Sequence, residues 1–376
     1  MIVPFHKPFL VGDEESYISK VIKNEHFKGD GPFTESSIKE LKKIIKSNYV
    51  HLTPSCTASL ELVALSENFE KGDEVIMPSY TFVSTANAFL LRGMKIKFID
   101  IEPETMNVNS SLIENAITSK TKAIVVVHYG GVSCDMDSIN HICKKHNLIL
   151  IEDAAQCINS YYKERHLGTI GDYGCFSFHS TKNLHCGEGG AISFNSSEDF
   201  KKATIIREKG TNRSEFIDGL VDKYTWKSIG SSFLPSEFQT AILHTQLKNA
   251  EKITNKRLEI WNKYNLILDN NNFFEIQKIP SYSTPNGHIF FIKTVNKIER
   301  SNLIKFLSEN GIGTAFHYIP LHSTQFGNVN CEFIGEDEYT TKDSERLLRL
   351  PIHGNLSNNN IDYVCSKVFE FYKKKV

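Results

Sequence analysis

The sequence predicts an α/β fold: a large domain around a mostly parallel sheet, followed by a smaller α+β domain at the C-terminal end. Three observations carry this expectation. Short, almost wholly apolar runs recur at 74–77, 123–127 and 148–151, the pattern of strands covered on both faces. Helical stretches separate most of them, as the crossovers of a parallel sheet require. Polar or charged residues, His128-Tyr129, Asp153 and Lys182, stand at or just past the ends of such runs, where open α/β sheets collect their ligands.

Taken in order, residues 12 to 48 read as two helical segments split by Lys28-Gly29-Asp30-Gly31-Pro32, whose Gly and Pro break both periods. Val50-His51-Leu52 is strand-like and Thr53-Pro54-Ser55-Cys56-Thr57 turns the chain. Ala58 to Glu67 continues as a helix with Leu60, Val63, Ala64 and Leu65 on one side. Strands follow at Glu74-Val75-Ile76-Met77, Lys97-Phe98-Ile99-Asp100, Ala123 to Val127, Leu148 to Ile151 and Gly174 to Phe178. One long helical pattern runs from Gln239 through Leu243, Leu247 and Ile253 to Tyr264 and leads out of the large domain. The domains are therefore placed at 1–245 and 246–376. In the second, a strand at Ile289 to Lys293, a helix from Ser301 to Asn310 and the segment Gly313 to Tyr318 form a compact α+β unit.

Composition narrows the function. A chain of 376 residues is long enough for two domains, and 43 basic against 44 acidic residues leave no global field for nucleic acid or a membrane surface. The eight cysteines are scattered, without a CxxC pair or metal-ligand spacing, which suits reduced thiols in a cytosol. Met1 to Lys7 lacks the apolar core of a signal peptide, and no apolar stretch approaches the ~20 residues of a membrane span. A cytoplasmic protein is expected, with a small-molecule substrate. His128, His179, His317 and His322 have no zinc-helix spacing and no acidic cluster beside them, so no metal site is expected.

Two residues carry the chemistry. Lys182 follows an apolar strand and precedes the glycine-rich Gly187-Glu188-Gly189-Gly190, and Asp153 follows Leu148-Ile149-Leu150-Ile151 within Glu152-Asp153-Ala154-Ala155-Gln156. An amine and a carboxylate at two such strand ends are what pyridoxal 5′-phosphate needs: one for its aldehyde, the other to keep its pyridine nitrogen protonated. Each residue has a plainer reading, Lys182 as a solvated surface lysine and Asp153 as the cap of a helix beginning at Ala154. Their order and spacing favour the pair. Gln156 then suits the cofactor's phenolic oxygen. Ser55-Cys56-Thr57-Ala58-Ser59 offers backbone N–H groups and hydroxyls for a phosphate at a helix start, although the same residues also make an ordinary cap. Tyr80, Phe82 and Tyr129 supply aromatic faces for a pyridine ring, or for the core.

The strings Pro54-Ser55-Cys56-Thr57-Ala58-Ser59-Leu60-Glu61, Met77-Pro78-Ser79-Tyr80-Thr81-Phe82-Val83-Ser84-Thr85, Glu152 to Gln156, and Phe176-Ser177-Phe178-His179 through Lys182-Asn183 resemble the DegT/DnrJ/EryC1/StrS sugar aminotransferases. The likeness spans essentially the whole chain. It implies a fold-type I aminotransferase with a mostly parallel seven-stranded sheet, at least a homodimer with each active site at the subunit interface. By position, Lys182 would be the Schiff-base lysine, Asp153 the partner of the pyridine nitrogen, Gln156 the contact to the phenolic oxygen and Phe82 the ring's neighbour. Thr57, Ala58 and Ser177 would hold the phosphate. Where much of the family has a Gly-Tyr-Asn element that reaches the neighbouring subunit's cofactor, this chain has Gly230-Ser231-Ser232-Phe233, so Ser232 would substitute with a shorter reach.

Longer strings, 206–214, 222–226 and 340–351, resemble the members that aminate dTDP-4-keto-6-deoxy-D-glucose at C4. The resemblance implies L-glutamate as amino donor and a dTDP-4-amino-4,6-dideoxy sugar as product, with the galacto product preferred over the gluco one. Lys28 and the loop 29–33 would meet the nucleotide, and His317 and Tyr318 would face the sugar. A sugar 3-dehydratase of the same fold would carry histidine in place of Lys182, and a noncatalytic homologue would have lost Lys182 or Asp153.

Overall fold

The computed structural model describes residues 1–374. In chain order the strands are β1 (Tyr49–Thr53), β2 (Glu74–Pro78), β3 (Lys95–Ile99), β4 (Thr121–Val127), β5 (Ile149–Asp153), the short pair β6 (Tyr161–Tyr162) and β7 (Arg165–His166), then β8 (Tyr173–Ser177) and β9 (Gly190–Phe194). Five more follow: β10 (Glu275–Ile276), β11 (Ser283–Thr284), β12 (Phe290–Lys293), β13 (Glu332–Phe333) and β14 (Leu347–Leu350). The main sheet has the order β1-β9-β8-β5-β4-β2-β3-β13, and β9 alone runs against the others.

That sheet is buried on both faces because its strands are apolar at consecutive positions. Side chains alternate across a strand, so Ile124 and Val126 enter one core while Ala123 and Val125 enter the other. The sheet has eight strands where seven are expected. The eighth, β13, is two residues long and adds to β3, held by a hydrogen bond from Ile334 N to Phe98 O of 2.8 Å and by the Lys97–Glu332 ion pair.

Helices α1 (Glu14–Asn24), α2 (Pro32–Ile45), α3 (Cys56–Ser66) and α4 (Val83–Leu90) begin the covering layers. Ser55 caps α3, accepting from Ala58 N at 3.1 Å. The predicted helix from Gln239 to Tyr264 is two helices, Glu237–Lys248 and Ala250–Leu268. The break falls at Asn249 (φ −110°, ψ 15°), whose side-chain amide donates to the Thr245 carbonyl and so satisfies a group the helix end leaves open. The first of the two opens with a capping box, Ser236 with Gln239.

A separate core gathers Ile260, Tyr264, the antiparallel β10-β12-β14 sheet, the helix Lys297–Glu309 and the helix Asn358–Lys373. The first residues of the chain are stitched to it and to the large sheet. Val3 bridges to Ile312, the Phe5 ring lies against the Arg349 guanidinium at 4.9 Å, and His6 Nε2 donates to Ser180 O at 2.9 Å. Among the described residues, no helix is long and apolar enough to cross a membrane.

Candidate active site

The parallel neighbours β4, β5 and β8 end on one side of the sheet, with Asp153 level with Val127 and Cys175. A cavity of about 630 Å³ opens there. Asp153 and Lys182 both line it, together with Thr57, Phe82, Gln156 and Ser177. His317 and Tyr318 close another side. Eight of the eleven residues singled out from the sequence thus meet in one place. Ala58 sits just behind it, its N–H turned to the Ser55 hydroxyl. Lys28 and Ser232 do not line this cavity; both are exposed, and Ser232 bridges to Glu208.

Asp153 is the last residue of β5, and no helix begins at Ala154. Ala154 N donates to Cys175 O at 2.9 Å and the chain continues in turns, which removes the helix-cap reading. The carboxylate is held from behind. Oδ2 accepts from Thr85 Oγ1 at 2.7 Å, Thr85 in turn meets Thr81 at 2.7 Å, and Oδ1 accepts from Ala155 N at 3.2 Å. Burial pushes its pKa up, with the Thr85 and Ala155 bonds opposing that shift. A protonated pyridine nitrogen supplies the cation that such a carboxylate lacks.

Lys182 lies five residues beyond β8, on a turn fixed by Lys182 N to His179 O at 2.9 Å. Its Nζ makes no hydrogen bond or ion pair among the described residues. Burial pulls the amine below the ordinary lysine range, against the pull of Cys56 and Asp153. A desolvated, unpartnered amine is a nucleophile toward an aldehyde.

The phosphate end is equally built. Thr57 Oγ1 donates to Ser84 Oγ at 2.7 Å at the start of α3, and Ser177 closes β8 beside it. Strand β9 can approach this helix start only because residue 190 is glycine; a Cβ there would stand 2.3 Å from the Ser55 carbonyl carbon. Phe82 is 56% exposed at the cavity wall, a bare ring face available for stacking. Gln156 Oε1 accepts from Gly130 N at 2.6 Å and its Nε2 donates to the Tyr318 hydroxyl at 3.1 Å, which leaves a second amide hydrogen. The residues present therefore fit pyridoxal phosphate.

Around them stands a network whose connections only the structure shows. Tyr80 OH donates to Tyr129 OH at 3.3 Å, and Tyr129 OH meets His317 Nδ1 at 2.6 Å. Burial, with Arg349 and Lys182 nearby, holds this imidazole well below its usual pKa and neutral. His128 is structural: Nδ1 accepts from Cys134 N at 3.2 Å and Nε2 donates to Glu152 at 2.9 Å. Thr85 and Arg349 are the site residues missed. The hydroxyl pair Thr81 and Thr85, four apart at a helix start, is the only signal the first carries.

Fold and site together define a pyridoxal-phosphate-dependent aminotransferase. Residues 9–369 match the model of the DegT/DnrJ/EryC1/StrS aminotransferase family, and the chain belongs to that family. It is 31% identical to the spore coat polysaccharide biosynthesis protein SpsC of Bacillus subtilis, over 99% of this chain and 97% of that one. Among solved structures it is similar to the aminotransferase TlmJ from Streptoalloteichus hindustanus, with a TM-score of 0.92 and 25% identity over the whole of both chains. It is also similar to Helicobacter pylori PseC, an aminotransferase involved in the biosynthesis of pseudoaminic acid, with a TM-score of 0.91 and 25% identity over the whole of both chains.

Proposed function

We propose that this sugar aminotransferase moves the amino group of L-glutamate to the C4 ketone of dTDP-4-keto-6-deoxy-D-glucose. The product is the galacto-configured dTDP-4-amino-4,6-dideoxy sugar, made in the cytoplasm for a surface polysaccharide. The observation that carries the reading is the meeting of an unpartnered Lys182 amine and a buried Asp153 carboxylate in one cavity at adjacent strand ends. The finer assignment leans on the strings 206–214, 222–226 and 340–351. The first two pair with each other, with Thr211 bridging to Trp226 and Thr225 N donating to Asn212 Oδ1 at 2.8 Å, and the third contains β14.

When bound, pyridoxal phosphate supplies the aldehyde that takes up the amino group and a ring that accommodates charge at the reacting carbon. Asp153, braced by Thr85, keeps the ring nitrogen protonated. The Lys182 amine, its pKa lowered by burial, takes the proton from the donor's α-carbon and in the second half-reaction returns one to sugar C4. The face from which it does so sets the configuration of the product. Thr57 and Ser177 hold the phosphate, Phe82 the ring face, and His317 and Tyr318 the sugar.

The division at residue 245 belongs to the same reading, supported by the separate core built, Val3 apart, from residues 260 onward. So does a homodimer: Ile217, Leu220, Trp226 and Ile229 are exposed apolar groups on the segment leading to Ser232. That segment, with Lys28, serves the cavity of a second copy.

The purified protein loaded with pyridoxal phosphate is expected to be yellow and to be bleached by L-glutamate. Lys182→Ala is expected to lose at least about 10³-fold of the transamination rate. Incubation with dTDP-4-keto-6-deoxy-D-glucose should yield an axial C4 amine, read from the proton coupling at C4. A large coupling means the gluco product, and no aminated sugar at all sinks the acceptor assignment.

A further inference from the structure

The turn that carries Lys182 is braced from the far end of the chain. Between β8 and β9 the backbone is tied mainly to itself. Phe178 N donates to Gly189 O at 2.8 Å, Ser180 N to Gly187 O at 2.8 Å and Lys182 N to His179 O at 2.9 Å. Ser180 O instead accepts from His6 Nε2 at 2.9 Å. A carbonyl oxygen can only accept, so Nε2 carries a proton. Among the described residues, His6 is the one side chain from beyond 177–190 that bonds to the backbone of 179–182.

His6 is itself held in place. Val3 N donates to Gly311 O at 2.9 Å, and Val3 O accepts from Gly313 N at 2.8 Å. Pro4 O accepts from His353 Nε2 at 3.2 Å, and Phe9 O accepts from His185 Nε2 at 3.1 Å and Gln246 Nε2 at 3.0 Å. The chain passes so close to residue 313 that a Cβ there would stand 2.5 Å from Phe5 N. The imidazole thus sits between two anchored carbonyls, and it lines the same cavity as Lys182. Lys182 Nζ has no bond of its own among the described residues. An amine on a long flexible stem, without a partner, takes its aim from the backbone that carries it. A shift of about 1 Å in a reacting group can cost about 10²-fold in rate.

We propose that His6 is a positioning residue for Lys182: its bond to Ser180 O fixes the turn from which the amine reaches the cofactor aldehyde. This rests on the role of Lys182 given above. His6 acts through the peptide backbone and not on the substrate. Its loss leaves the phosphate and ring contacts of the cofactor in place. It slows the steps that Lys182 itself performs: capture of the aldehyde, with loss of water, and movement of the proton at the donor's α-carbon. The donor at Nε2 is the part required, so an amide nitrogen of similar reach replaces it.

The test compares the parent protein with His6→Phe, which keeps a ring without its donor, and His6→Gln, whose amide restores one. Apo protein mixed with pyridoxal phosphate gives the rate at which the yellow band forms. Pyridoxine 5′-phosphate, with an alcohol in place of the aldehyde, reads the cofactor cradle without Lys182. Bleaching by L-glutamate in a single turnover gives the maximal rate and the half-saturating donor concentration. His6→Phe is expected to slow both band formation and bleaching at saturation about 10-fold. Pyridoxine phosphate affinity should stay within about 2-fold of the parent, and half-saturating glutamate within about 3-fold. His6→Gln should return both rates to within about 3-fold of the parent. Unchanged rates in His6→Phe, an equal weakening of pyridoxine phosphate, a raised glutamate constant at unchanged maximal rate, or His6→Gln as slow as His6→Phe would each overturn the assignment. A parent that turns yellow but is not bleached by glutamate would remove the proposed donor, and the rate of band formation alone would then decide on His6.

Discussion

Two adjacent carboxylates on β5 face opposite sides of the sheet and behave as opposites. Glu152 is fully buried and receives four donors: His128 Nε2 at 2.9 Å and Gly168 N at 2.7 Å on one oxygen, Ile170 N at 2.6 Å and Gly171 N at 2.7 Å on the other. These bonds outweigh the burial and hold its pKa low. Asp153 receives two donors, and its pKa goes up. One carboxylate is spent on shaping the loop behind the sheet. The other keeps unmet acceptor capacity on the cavity side, where a cation has to arrive from outside the chain.

Exchanging each acid for its amide should separate the two roles. Asp153→Asn keeps Ala155 N on its oxygen and donates from its amide to a Thr85 hydroxyl that turns to accept, and about a 10³-fold loss of transamination with little change in Tm is expected. Glu152→Gln puts amide hydrogens against existing donors, and about 3 kcal/mol of stability should be lost in denaturant unfolding of the apo protein. Similar losses of stability in both variants would end the distinction.

A smaller effect tests the same satisfied side of the sheet. His166 donates from Nδ1 to Leu167 O at 2.7 Å and accepts at Nε2 from Asn159 N at 2.9 Å, so only the neutral ring serves both bonds. Burial lowers its pKa to about 4. The unfolded chain therefore binds the proton first: the contribution is complete above about pH 6.5 and is lost as pH falls toward 4, at about 1.4 kcal/mol per unit. Thermal melts across that window should show the decline, and His166→Gln should flatten it.

The smallest expected effect lies on the cavity side. Phe82→Ala removes an exposed ring face, and cofactor dissociation measured by fluorescence should rise about fivefold, from the loss of about 1 kcal/mol of stacking. No change would take Phe82 away from the ring.

The same contrast explains what the sequence disclosed. Lys182 and Asp153 were legible because a charged residue at the end of an apolar run is conspicuous and the sheet's topology brings such ends together. Strand positions followed from apolar runs, since β-branched segments such as 121–127 bury both faces. Thr85 and Arg349 were not legible. The first lies 68 residues from Asp153 and the second 167 residues from Lys182, and only tertiary packing delivers them. The break at Asn249 escaped because apolar Leu247 and Ala250 keep the helical spacing through it. Lys28 and Ser232 do not line the cavity, and nothing local in the sequence sets them apart from the residues that do.

The stitching of residues 3 to 6 sets an order of events during synthesis. Val3, Phe5 and His6 leave the ribosome early, yet their partners Ile312, Arg349 and Ser180 are translated 174 or more residues later. Contacts of such sequence separation close slowly. Most of the central sheet can therefore form while the chain is still growing, whereas the part of the cavity wall that Phe5 and His6 line closes only after these distant partners are made.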